Sequence, residues 1–202
     1  MPFPILLGLF LIVLTRSLGA TGVFERPDFG LQLSNLAVVD RDADTTFNFL
    51  LLGAEAGLNI PLYRPESHMA FGLNPQVRLW VDLASGLTSE NSSILGVTLP
   101  LLATFKFNTD AAERGTKAGV GFSIGAGAQY SGVLFAPDFT AGFISPAAMA
   151  EVNFGSRSGG AGLFKLRIST QFGPVDADVA RDDVVPLSMN LQSLHLIWTP
   201  GY

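Results

Sequence analysis

The chain has 202 residues, of which 48% are hydrophobic and only 14% charged. That hydrophobic content excludes a disordered chain. The net charge is −5 and only Lys106, Lys117 and Lys165 are lysines, so the basic footprint of a nucleic-acid binder is missing. There is no cysteine, which excludes disulfide frameworks, thiolate metal sites and thiol catalysis.

Residues 5–14 form an uncharged, mostly apolar run. A helix needs about 20 such residues to span a bilayer, so this run has the length of a signal-peptide core instead. The small residues Ser17, Gly19 and Ala20 follow it. The expected organisation is a signal peptide at 1–20 and one domain at 21–202.

The rest of the chain holds period two rather than the helical period of 3.6. The first strand is expected at 29–38. In 50–60, Leu50, Leu52, Ala54, Ala56 and Leu58 alternate with Gly53, Glu55, Gly57 and Asn59. In 70–83, Phe71, Leu73, Val77, Leu79 and Val81 alternate with Asn74, Gln76, Arg78, Trp80 and Asp82. In 94–108 the apolar face runs from Leu95 to Phe107 against Thr98, Thr104 and Lys106, with Leu102 out of phase. The glycine-rich stretch 117–131, then 147–155, 163–172 and 187–199, supply four more strands. Polar clusters separate them, including 174–186, which is expected to be a loop.

A soluble barrel or sandwich turns its apolar face inward; a membrane barrel turns it to lipid and keeps the polar face in the lumen. Here the polar face is Gly, Ser, Thr, Asn and Gln with isolated charges, not the dense charge of a water-facing exterior. Phe105, Phe107, Tyr130 and Trp198 stand on the apolar faces, as in a lipid-facing girdle. The predicted fold is therefore all-β: an eight-stranded antiparallel up-and-down transmembrane β-barrel preceded by a signal peptide.

The run Leu99-Pro100-Leu101-Leu102-Ala103-Thr104-Phe105-Lys106-Phe107 resembles a strand of the small outer-membrane β-barrels of Bacteroidetes-type bacteria, the PorT-like or "porin family" group. The glycine-rich strand from Gly119 to Tyr130 and the segment Ala56-Gly57-Leu58-Asn59 are similar to neighbouring strands of that family. The resemblance covers most of 45–200 and implies an outer-membrane location and a barrel fold more than any one activity. The lysine sits later than the family pattern has it, and the chain ends Thr-Pro-Gly-Tyr202 rather than in a terminal Phe.

Seven charges fall on the predicted lumen face: Glu55, Arg78, Asp82, Lys106, Glu151, Lys165 and Arg167. An eight-stranded barrel is just wide enough for side chains to fill it, and an unpaired buried charge is costly. These residues are expected to form a paired network that plugs the lumen. The competing reading is an anion site on Arg78, Lys106, Lys165 and Arg167. Ser193 and His195 share a strand face, but a hydrolase also needs an acid beside them; His68 sits in a turn beside Glu66 and Ser67. The Asp40, Asp42 and Asp44 series lacks the glycine and distal glutamate of a calcium loop.

The expected function is that of a non-enzymatic structural or interaction protein of the bacterial outer membrane, without cofactor or metal. Its expected partners are outer-membrane lipid and other envelope proteins. A binding or transport barrel for a small apolar ligand is the alternative, favoured by a lumen richer in Leu and Phe. A lipid-modifying enzyme is a further one, requiring a His–Ser–acid cluster at one rim.

Overall fold

The structure is a computed structural model; it describes residues 26–41, 44–83, 93–108, 119–136, 139–155, 162–176, 178–180 and 187–200. The signal-peptide reading of 1–20 lies outside the described residues. The strands are β1 (Arg26–Asp40), β2 (Thr45–Glu66), β3 (Met69–Asp82), β4 (Ser93–Phe107), β5 (Gly119–Ala136), β6 (Phe139–Gly155), β7 (Leu163–Gln171), β8 (Val175–Asp176), β9 (Asp178–Ala180) and β10 (Leu187–Thr199).

Eight of these strands form a ring. Sequential neighbours pair antiparallel from β1 to β7, β7 pairs with β10, and β10 pairs back onto β1. The closing seam is long, running in continuous register from Phe29↔Trp198 to Asp40↔Leu187. Closure gives every ring strand a partner on both sides, as lipid demands of a sheet. β8 and β9 lie off the ring. They fill the space above short β7, β8 pairing with β10 and β9 with β6. The expected loop at 174–186 therefore contains two short strands, because β6 and β10 both rise past the end of β7 and offer unpaired backbone there.

The end where β1 begins is called lower here, and the end where β1 finishes is called upper. Period two sets the two surfaces. Leu31, Leu79, Leu101, Ile144, Ile168 and Leu196 are among the large apolar side chains left exposed on the outside, while Gln32, Arg78, Glu151, Lys165 and Arg167 are buried inside. Near the lower end every ring strand contributes an outward aromatic residue. Phe29, Trp198, Phe164 and Phe154 are successive cross-strand partners. Tyr63, Phe71 and Phe105 form a second such row, and Phe107 pairs with Phe122 at a ring separation of 5.1 Å.

Candidate functional site in the barrel lumen

The lumen has two layers. Its lower and middle part holds a continuous polar network. Asp28 enters from β1, Glu55 and Asn59 from β2, Asn74, Gln76 and Arg78 from β3, Lys106 from β4, Glu151 from β6, Lys165, Arg167 and Ser169 from β7, and His195 and Thr199 from β10. Alternation places them: each stands two or a multiple of two residues from its inward neighbours on the same strand.

Arg167 is the centre. Its Nη2 lies 2.7 Å from Glu151 Oε2, its Nη1 3.1 Å from Glu55 Oε1, and its Nη2 3.6 Å from Asp28 Oδ2. Lys165 Nζ lies 3.0 Å from Asp28 Oδ1. Asp28 also accepts from Asn59 Nδ2 at 2.9 Å and from the Thr199 hydroxyl. Asn59 Oδ1 in turn accepts from Lys106 Nζ and from Asn74 Nδ2. Arg78 Nε lies 3.3 Å from Glu55 Oε2, its Nη2 donates to Gln76 at 2.7 Å, and its Nη1 donates to Ser169 Oγ at 2.9 Å. β3 and β7 are diametrically opposite in the ring, so this last bond crosses the whole lumen.

Six of the seven charges on the predicted lumen face stand in this network. Asp82 lies higher in the barrel. It is half-buried at the upper end of β3, opposite Leu51, four residues and about 13 Å of strand beyond Arg78. Two titratable members of the network are not among the seven charges expected from the sequence. Asp28 lies just before the expected start of the first strand. His195, fully buried, sits inside the network rather than at a strand end.

His195 Nδ1 lies 2.8 Å from Glu55 Oε2 and its Nε2 lies 2.8 Å from Ser169 Oγ. Ser169 Oγ and His195 Nε2 share a hydrogen bond whose donor is set by the imidazole tautomer, and Glu55 stands on the far side of the ring. That is the acid–base–hydroxyl order of an activated nucleophile. The serine is Ser169 and not Ser193, whose hydroxyl pairs with Ser34 at 2.8 Å. Two facts set this cluster apart from a hydrolytic centre. Arg78 already donates to the serine oxygen. All four side chains are buried in mid-lumen, not at a rim where a lipid ester could reach them. His68 stays in the β2–β3 turn, 3.1 Å from Glu66.

The upper layer is apolar. Leu36, Leu51, Ile94, Phe143, Met189 and Leu191 pack there with Trp80. Trp80 donates its indole N–H to Thr98 at 3.1 Å, and its ring lies over Gly96, its cross-strand partner. A Cβ at residue 96 would stand 2.1 Å from that ring, so only glycine fits. The lumen is thus more apolar than the polar faces of the sequence indicate.

A closed barrel with apolar exterior, polar mid-lumen and an aromatic row near one end has the surface organisation of a transmembrane β-barrel. No protein-family model and no curated protein matches the chain. Among solved structures it is similar to Neisserial surface protein A, at 9% identity and TM-score 0.45, over 85% of this chain and 96% of that one. It is similar to the outer membrane protein OprG from Pseudomonas aeruginosa, at 13% identity and TM-score 0.43, over 89% and 97%. It is also similar to Ail, the attachment invasion locus protein of Yersinia pestis, at 10% identity and TM-score 0.44, over 89% and 99%.

Proposed function

We propose that the chain is a bacterial outer-membrane β-barrel that acts as a structural or interaction protein, a membrane anchor or a subunit of an envelope assembly, and not as an enzyme or a pore. Residues 1–20 export it, and outer-membrane lipid and other envelope proteins are its partners. Within that class the resemblance at 99–107 favours the PorT-like group. One observation supports the plugged lumen above others: Arg78 reaches Ser169 on the opposite strand at 2.9 Å. A bore closed by a side chain bonded across its full width leaves no aqueous path. The test is conductance. The refolded barrel in planar bilayers is expected to give no stable single-channel current while showing the heat-modifiable gel shift of a folded barrel. Reproducible large conductance would overturn the reading.

The apolar upper lumen supports a second reading, a binding barrel for a small apolar molecule. Trp80 lies inside this layer and Trp198 faces outward. In a Trp198→Phe variant, a bromoalkane that enters the lumen quenches the remaining emission. Emission unchanged up to the solubility limit of the bromoalkane rejects this second reading.

A further inference from the structure

Low in the lumen, an irregularity of β2 turns a cation inward. Leu51, Glu55 and Asn59 are buried on the lumen side of β2, and unbroken alternation would put Arg64 outside. The register against β3 shifts between Pro61 and Tyr63. Leu62 and Tyr63 are both exposed, Tyr63 against the outward ring of Phe71. Arg64 therefore returns to the inner face, the re-aiming of a side chain that a β-bulge produces. It is half-buried and lines a small cavity with Asn59, Pro61, Gly72, Thr104 and Lys106. Thr104 lies between two glycines, Gly72 on β3 and Gly125 on β5. Its methyl is on the Gly125 side, 3.1 Å from where a Cβ at that residue would be, and the cavity is on the Gly72 side. The threonine hydroxyl, buried and without a hydrogen-bond partner among the described residues, is left to the cavity.

We propose that this cavity binds one small anion of the size of chloride. The sign follows from the lining. Lys106 and Arg64 bring positive charge and Thr104 a hydroxyl donor, and among the described residues no carboxylate lines the cavity. Water would satisfy the hydroxyl, but an anion also gains from both cations, whose field is strongest away from bulk water. Neither cation has to give up a protein partner, because an ammonium has three donors and a guanidinium five. Lys106 keeps its bond to Asn59 Oδ1. The size follows from the volume, about 20 Å³, which is room for a single water-sized sphere and too little for a whole phosphate. Of the four cations in the competing reading of the sequence, Lys106 lines this cavity. Arg78, Lys165 and Arg167 instead face the carboxylates of Glu55, Asp28 and Glu151.

The test uses the whole refolded barrel, with the heat-modifiable gel shift as the check of folding and sodium bromide and sodium chloride as the probes. Wild-type crystals grown in bromide are expected to show an anomalous peak in contact with Lys106 Nζ and Thr104 Oγ1. In urea titrations at constant ionic strength, replacing gluconate by chloride is expected to raise the unfolding midpoint of the wild type. Thr104→Ser keeps the hydroxyl and is expected to keep that shift. Thr104→Val keeps the shape without the donor and is expected to weaken chloride about tenfold or more, the loss of one hydrogen bond to a charged group. Arg64→Gln is expected to weaken it as well, whereas Arg41→Gln, which removes an exposed cation on the far side of the barrel, is expected to respond as the wild type does. Water in place of bromide, bromide only at surface positions, or the same chloride shift in Thr104→Val as in the wild type overturns the site. The bromide crystal needs no variant to fold, and none of these results bears on the conductance test above.

Discussion

Arg167 touches three carboxylates, those of Glu55, Glu151 and Asp28, and all four side chains are buried. Removing the cation leaves three anions in a low-dielectric lumen without the guanidinium that touches all of them. Breaking a buried pair from one side costs about 3–5 kcal/mol, far more than the pair's net contribution. Arg167→Ala is therefore expected to lower the unfolding free energy in lipid by about 3–5 kcal/mol, measured by urea titration of the reconstituted barrel. Asn48→Ser, exposed near the upper end of β2, is expected to change it by no more than about 0.5 kcal/mol. Equal effects of the two would mean that the network is hydrated and contributes little. Ser169 belongs to the same ledger of paired groups. Its oxygen accepts from Arg78 and it shares a hydrogen bond with His195, so the arrangement of a nucleophile serves here to satisfy a buried arginine.

At the scale of the strand, the alternation sets which surface each side chain meets, and the neighbours Leu101 and Leu102 show the consequence. Leu101 is exposed on the lipid side, whereas Leu102 is buried inside against Ala147 and Met149. Leu101→Arg is expected to cost about 2–4 kcal/mol, the range for a basic residue at the bilayer midplane. Leu102→Ala is expected to cost about 2–5 kcal/mol through a cavity instead. In detergent, where the outer surface adapts, the first penalty should shrink and the second persist; equal shrinkage would reverse the assignment of faces. The same alternation explains what was legible beforehand. Where outward residues are apolar and inward ones polar, as in Phe164 to Ile168 against Lys165 and Arg167, the sequence spells both faces. Near the upper end the lumen is also apolar, and runs such as Phe49-Leu50-Leu51-Leu52 lose their contrast. That is why the upper layer was not anticipated. Asp28 escaped for a different reason: Pro27 precedes it, and proline reads as a strand boundary, although here it is the second residue of β1. β8 and β9 have too few residues to carry any period.

For the molecule as a whole, what matters is which pairings close the ring. β10 joins β7 to β1, with eight residues in register on one side and twelve on the other. β8 and β9 together contribute two pairs to β10 and three to β6 and close nothing. Unpaired backbone in hydrocarbon costs several kcal/mol per group, so the ring cannot survive loss of β10, which would open two edges at once. Truncation before Leu187 is expected to abolish membrane insertion and the heat-modifiable gel shift. Replacing 173–186 by a short Gly-Ser turn removes β8 and β9, and is expected to keep both. It takes away Val175, which packs on the apolar upper layer, and exposes the partly lipid-facing backbone of upper β6, so the barrel should unfold at lower urea without losing its form. If that excision also abolishes insertion, then β8 and β9 are part of the wall, and the ring of eight is not the unit that folds.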